Sequence, residues 1–107
     1  MKTFTELTKD QQQRNLEDAA LGIIDQILEG FLEIEFSHPD NQSAFLRIID
    51  EAAKRDSFSY AQRKIVEHKG MRSEIEKISL IVCSESYYDE DGIMLQQKEE
   101  QNEAAVN

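Results

Sequence analysis

The strongest constraint on the fold is a helical repeat of apolar residues in the first third of the chain. Large apolar side chains recur there every three or four positions, the spacing that places them on one side of an α-helix. The residues of this stripe are Leu16, Ala20, Ile23, Ile27, Phe31 and Ile34. Thr8-Lys9-Asp10-Gln11 has the form of a capping box, which marks a helix start. The pattern predicts one long helix over residues 8–35.

Two further amphipathic segments follow. Ser37-His38-Pro39-Asp40 predicts a break and a restart, because proline is tolerated in a first helical turn and Ser37 or Asp40 can cap it. This second helix should end near Arg55. Ser59-Tyr60-Ala61-Gln62 has capping-box form and predicts a third helix, with Gly70 as its C-terminal cap.

A fourth helix is predicted after Gly70. Ser73-Glu74-Ile75-Glu76 is a capping-box candidate, and Asp89-Glu90-Asp91-Gly92 is the predicted stop. Residues 78–83 are rich in β-forming residues, so a strand is the alternative there, but no second strand is evident to pair with it. The predicted fold class is all-α: an irregular bundle of about four helices with an acidic, disordered C-terminal tail.

Length and composition predict one domain. The 107 residues match a single domain, which we place at residues 1–95, with 96–107 as a flexible acidic tail. The sequence contains no apolar run long enough to span a membrane, and the N-terminus lacks the apolar region of a signal peptide. Cys83 is the single cysteine and cannot form an internal disulfide. These features predict a cytoplasmic protein.

The net charge of −10 bears directly on the choice of partner. Nucleic-acid affinity comes largely from lysine and arginine displacing counterions, so direct nucleic-acid binding by the whole molecule is disfavoured. Residues 54–77 are locally basic and could form a weak DNA-binding regulator, although Glu74 and Glu76 would repel a phosphate backbone. The alternative interpretation is that these bases pair with the acidic first helix, within the monomer or in a dimer.

No pattern of catalytic or metal-binding residues stands out. The sequence lacks a nucleophile elbow, a P-loop, a dinucleotide glycine pattern and a zinc-protease motif. Asp89-x-Asp91-Gly92 resembles part of a calcium loop, but Tyr87 and Lys98 occupy the first and twelfth positions, where oxygen ligands are needed. His68 is interpreted as a favourable charge at a helix C-terminus. We expect no enzyme activity, no cofactor and no metal.

The candidate partner-binding residues are acidic. Carboxylates recur along the first helix at spacings of one and two turns, a loose imitation of a row of phosphates. The favoured set is Asp18, Asp25, Glu29 and Glu33, supported by Asp89, Glu90 and Asp91. The alternative for these acids is a solvated face that keeps a small protein in solution.

The N-terminal segment supplies a resemblance. Phe4-Thr5-Glu6-Leu7-Thr8, followed by polar residues, resembles the F-x-E-L-S/T opening of many small phage and prophage proteins, over about the first twenty residues. The resemblance implies a phage or mobile-element origin and a host-cell cytoplasmic location. Small acidic proteins of this kind include anti-restriction and anti-CRISPR inhibitors, some of them DNA mimics. No functional residue is carried over from it.

Three functional hypotheses follow. The first is a non-catalytic acidic protein that occludes a basic, nucleic-acid-handling surface of a host protein. The second is a homo-oligomeric structural or adaptor protein, in which the stripe through Ile23, Ile27, Phe31 and Ile34 is partly an intersubunit core. The third is the DNA-binding regulator that uses residues 54–77.

Overall fold

The four predicted helices are present, together with a small sheet. The computed structural model describes residues 1–97; residues 98–107, the greater part of the predicted tail, lie outside them. The helices are α1 (Lys9–Leu28), α2 (Pro39–Arg55), α3 (Phe58–Glu67) and α4 (Lys69–Ser84). The strands are β1 (Lys2–Thr3), β2 (Ser86–Tyr88) and β3 (Met94–Gln97), and a 3₁₀ turn spans Phe4–Glu6. The all-α prediction is confirmed, and residues 78–83 lie in α4.

The first helix begins where predicted but ends earlier. The Thr8 hydroxyl accepts a hydrogen bond from the Gln11 amide at 3.2 Å, and the Gln11 side chain accepts one from the Thr8 amide at 3.1 Å. The helix stops at Leu28, not at residue 35. Gly30 adopts a left-handed φ of 83°, and the Phe31 amide donates to the Gln26 carbonyl at 2.9 Å. This is a Schellman termination, for which glycine is favoured because it has no Cβ.

The other helix boundaries differ from several predicted caps. His38, rather than Ser37 or Asp40, caps α2, because its Nδ1 accepts from the Asp40 amide at 3.2 Å. Ser57, not Ser59, caps α3 by accepting from the Tyr60 amide at 3.1 Å.

A single residue separates α3 from α4. His68 ends α3 and also caps α4, with its Nδ1 accepting from the Met71 amide at 3.4 Å. Gly70 therefore lies inside the first turn of α4, and the predicted start at Ser73 is wrong. The imidazole acts as a hydrogen-bond acceptor at a helix N-terminus, which is a different role from the C-terminal charge predicted for it.

The main core forms where α1, α3 and α4 meet, with the N-terminal part of α2 closing one side. Its most deeply buried members are Ile24, Ile65, Met71 and Ile75, each at most 1% exposed. Two members of the α1 stripe, Ala20 and Ile23, are buried in the same cluster. Ile27 and Ile34 are partly buried against it, so four of the six stripe residues face the protein's main core.

A second apolar cluster joins the two ends of the described chain. It contains Phe4, Leu7, Cys83 and Tyr88, and the Tyr88 hydroxyl donates to the Cys83 carbonyl at 2.8 Å. The three strands form an antiparallel sheet in the order β1-β2-β3. Residues 89–92 form the turn between β2 and β3, so the prediction that they end the fourth helix is wrong. The helix ends at Ser84, and the chain then pairs as β2 with the distant β1 and with β3, which follows directly after the turn.

Candidate protein-binding surface

Three of the favoured acids lie along one side of α1. Asp18 and Asp25 are seven residues apart and Glu29, which caps the helix end, is four residues further on. At 100° per residue these positions nearly coincide around the axis, at separations of about 10 Å and about 6 Å along it. Asp18 and Glu29 are exposed. Asp18 and Glu29 therefore present exposed carboxylates at the two ends of this line.

Asp25 has an internal partner. Its carboxylate accepts a hydrogen bond of 2.7 Å from the Gln62 side-chain amide, and its side chain is half-buried. The bond ties α1 to α3. Asp25 therefore contributes to the packing of the helices as well as to the surface charge, whereas Asp18 and Glu29 are the acids of this line best placed to meet a partner.

Glu33 does not lie on α1. It belongs to the connection between α1 and α2, which turns at residues 29–31 and then continues as an extended segment, residues 32–37, to α2. Glu33 and Glu35 are exposed in this segment, while Ile34 between them is half-buried and Phe36 is buried. The alternation of residues 33–36 reflects an extended backbone with one side facing the protein, as strand-like patterns do.

This segment and α2 enclose an apolar groove of about 450 Å³. Its walls are the end of α1, the extended segment and one side of α2. The apolar lining residues are Ile27, Leu28, Leu32, Ile34, Phe45 and Ile49. Glu33 and Glu35 also line it, and Glu29 immediately precedes the lining residue Gly30. We call this feature the acid-rimmed groove.

Phe31 stands beside the groove and is 81% exposed, between the lining residues Gly30 and Leu32. Sequence periodicity places Phe31 on the buried stripe, and the structure places it in solvent because the helix has already ended. The signal that identifies this position is the adjacent Gly30, a typical residue just beyond a helix C-terminus. Phe31, Glu35 and the α2 wall were not among the predicted site residues.

Glu74 of α4 holds the far end of the extended segment. Its Oε1 accepts hydrogen bonds from the backbone amides of Ser37 at 3.1 Å and His38 at 3.3 Å, and it also bonds the Ser37 hydroxyl. The Ser37 hydroxyl, followed by the other bonds to the carboxylate, lowers the pKa of Glu74. One carboxylate thus fixes the chain direction that leads from the groove into α2.

Acidification is expected to weaken this attachment. The pKa of Glu74 in the folded protein is below its ordinary value of 4.5. The carboxylate's contribution to the free energy of unfolding is therefore fully present at pH values above 4.5. It is lost as the pH falls through the lower folded-state pKa. We expect the difference in free energy of unfolding between the native protein and Glu74→Gln to shrink under acid conditions. Urea unfolding at a series of pH values measures this difference, and a difference that stays constant as the pH is lowered through the acid range below 4.5 would contradict this role.

The remaining predicted acids lie elsewhere, in the turn between β2 and β3. Asp89 accepts hydrogen bonds through Oδ1 from the amides of Asp91 and Ile93, each at 2.9 Å, so it shapes the turn. Glu90 forms an ion pair of 3.7 Å with Lys2. The Asp91 carbonyl accepts from Gln11 at 3.2 Å. Gln11 and the groove lie at opposite ends of α1, so these acids are remote from Glu29 and Glu33, whereas Asp18 lines a cavity together with Ile93, which follows the turn.

Four of the seven lysines and arginines of residues 54–77 form ion pairs with acids on their own helix. The Lys54 Nζ lies 3.0 Å from Asp50 Oδ2, and the Lys64 Nζ lies 3.5 Å from Glu67 Oε2. The Arg72 Nε lies 3.7 Å from Glu76 Oε1. Within residues 1–97, no ion pair joins these bases to an acid of α1. The suggestion that they neutralise α1 inside the monomer is therefore wrong. Asp18, Glu29, Glu33 and Glu35 are exposed and form no ion pair within residues 1–97.

Two further features of residues 1–97 concern the cysteine and possible metal ligands. Cys83 is buried in the second apolar cluster, and burial raises the pKa of its thiol. Among residues 1–97, no three side chains of the metal-ligating types come together in a way that could hold an ion. In the same part of the chain, no helix has the length and hydropathy needed to cross a membrane.

Comparison of the chain with protein-family models, with curated proteins and with solved structures gives no match. The function is therefore inferred from the charge and geometry of the molecule itself.

Proposed function

We propose that this is a non-catalytic binding protein of phage or mobile-element origin, acting in the cytoplasm of the host cell. Its acidic surface would occlude a basic, nucleic-acid-handling surface of a host protein. The observation that carries the proposal is the unneutralised line of Asp18 and Glu29, continued by Glu33 on the groove rim. Charge of one sign on a protein of net charge −10 steers a basic partner into contact.

The pairing of four of the seven lysines and arginines of residues 54–77 supports this proposal over a DNA-binding regulator. Lys54, Lys64 and Arg72 each face a carboxylate on their own helix, so contact with phosphate would have to compete with that carboxylate. Ile23 is buried within the monomer, which leaves Phe31 as the member of the stripe most available to a second copy. An inhibitor that acts through its acidic surface requires neither the basic residues of 54–77 nor an apolar contact between two copies.

The proposal is tested by affinity capture from a bacterial lysate at low and high salt, with identification by mass spectrometry. We expect a DNA- or RNA-handling protein to be retained at low salt and released at high salt, because exposed charges are screened. The purified partner should then lose its nucleic-acid binding when this protein is added. Recovery of the protein alone would instead favour the homo-oligomeric structural hypothesis.

Matched charge reversals locate the binding surface. Asp18→Lys with Glu29→Lys should weaken binding of the purified partner about tenfold or more, since it places like charges together. Asp50→Lys with Glu67→Lys changes the net charge equally but on α2 and α3, and should have a much smaller effect. Asp25 is left unchanged because its bond to Gln62 would confuse stability with binding. Equal effects of the two double variants would exclude the α1 acids as the contact.

A further inference from the structure

The acid-rimmed groove combines two kinds of surface that a single occupant must satisfy. Its floor and walls are aliphatic and aromatic, and its volume of about 450 Å³ lies within the range in which pockets hold bulky apolar groups. Phe31 extends the apolar surface beyond the groove into solvent. A purely polar ligand would leave this apolar surface without a contact, so the occupant should contribute at least one large apolar side chain.

The rim determines the charge of that occupant. Glu29, Glu33 and Glu35 are all exposed, and none of them forms an ion pair with a lysine or arginine of residues 1–97. When an apolar side chain of the partner enters between these carboxylates, the residues next to it in the partner's sequence come close to the carboxylates. Neighbours that are lysine or arginine are attracted, and acidic neighbours are repelled.

The same charges disfavour the two occupants that this chain itself could supply. In a twofold dimer each patch meets its own copy, so a second molecule seated on the groove would bring Glu29, Glu33 and Glu35 towards the same residues of its partner. Residues 98–107 carry three glutamates and one lysine, a charge of the same sign as the rim. A separate basic protein is the better match.

We propose that the acid-rimmed groove binds a segment of the partner protein in which a large aliphatic or aromatic residue is flanked by lysine or arginine. The apolar residue would pack against Phe45, Ile49 and Phe31, and the cations would lie against Glu33 and Glu35. This rests on the proposed function and adds a specific anchoring point to its general electrostatic attraction. Electrostatic contacts would speed association, and the buried apolar anchor would slow release.

A tryptophan reporter makes the groove directly observable. The sequence contains no tryptophan, so Phe31→Trp in the full chain introduces a single emission signal beside the groove. The probe is a synthetic peptide that combines leucine with lysine, and its control carries serine in place of each leucine. We expect the leucine peptide to shift the emission to shorter wavelength and to bind at least about tenfold more tightly than the serine peptide.

Surface variants test the same assignment without disturbing the core. With a labelled leucine peptide, Phe31→Ser and the double change Glu33→Lys with Glu35→Lys should each weaken binding about tenfold. The matched controls are Leu80→Ser, a partly exposed apolar residue on α4, and Asp50→Lys with Glu67→Lys. Circular dichroism checks that each variant retains its helices.

The outcomes separate this inference from the proposed function. Equal binding of the leucine and serine peptides, with no emission shift, would overturn the groove assignment while leaving acid-driven binding in place. Failure of both peptides to bind would also overturn it, and the capture experiment with Asp18→Lys and Glu29→Lys would then judge the proposed function independently. Tighter binding of the leucine peptide, lost in Phe31→Ser but kept in Leu80→Ser, supports the assignment.

Discussion

Replacement of Ile75 by alanine is expected to lower the free energy of unfolding by about 2–5 kcal/mol. Ile75 lies in the middle of α4, is 1% exposed, and packs in the core where α1, α3 and α4 meet. Removing three carbon atoms there loses their transfer free energy and leaves a cavity that helices from three directions can fill only in part. Since domains of this size are stable by only about 5–15 kcal/mol, the loss is a large fraction of the total.

Urea unfolding followed by circular dichroism measures this change, and the same helix supplies the control. Ile81 is 60% exposed, so Ile81→Ala removes the same atoms from the solvent side of α4. We expect that variant to stay within about 0.5 kcal/mol of the native protein. Comparable losses in both variants would mean that α4 does not pack through the face containing Ile75.

Tyr88→Ala should have a still larger effect, about 3–5 kcal/mol. Tyr88 is completely buried in β2, where its ring centroid lies 6.2 Å from that of Phe4. Burial is the main reason that the pKa of its phenol is raised. Loss of the ring removes the centre of the second apolar cluster and frees the N-terminal segment. Amide hydrogen exchange should show this as lost protection at Phe4 and Leu7 in particular.

Tyr88→Phe separates the ring from the hydroxyl. It keeps the packing but removes the hydrogen bond to the Cys83 carbonyl, so we expect a loss of only about 1 kcal/mol. A Tyr88→Ala variant no less stable than Tyr88→Phe would show that the ring is not held between the N-terminal segment and α4.

The presence of the helices was predictable because their signals are local. Apolar spacing of three and four residues identified all four, and the Thr8 capping box located the start of α1. Residues 78–83 were assigned to a helix in spite of their β-rich composition because no partner strand was evident, and they do lie in α4. These signals operate within one or two helical turns, so a single sequence contains them in full.

The helix ends were less predictable because several residues compete for each cap. The helix α1 ends at Leu28, seven residues before the predicted end at residue 35, with Gly30 in the left-handed conformation just beyond it; this removes Glu33 from the helix and exposes Phe31. His68 serves both α3 and α4, a role that neither neighbouring capping-box candidate indicated. Local capping propensity alone does not decide which of several residues caps a helix. The packing of the adjoining helices decides it.

The net charge, the four amphipathic helices and the acids of α1 were determined by the sequence itself, because composition and short-range spacing suffice for them. The sheet and the acid-rimmed groove were decided only by the tertiary structure. Lys2 pairs with Tyr88 across almost the whole described chain, and Glu74 on α4 anchors Ser37 at the end of the groove segment. Those contacts join residues distant in sequence, and their pairing depends on how the helices pack, which no local pattern specifies.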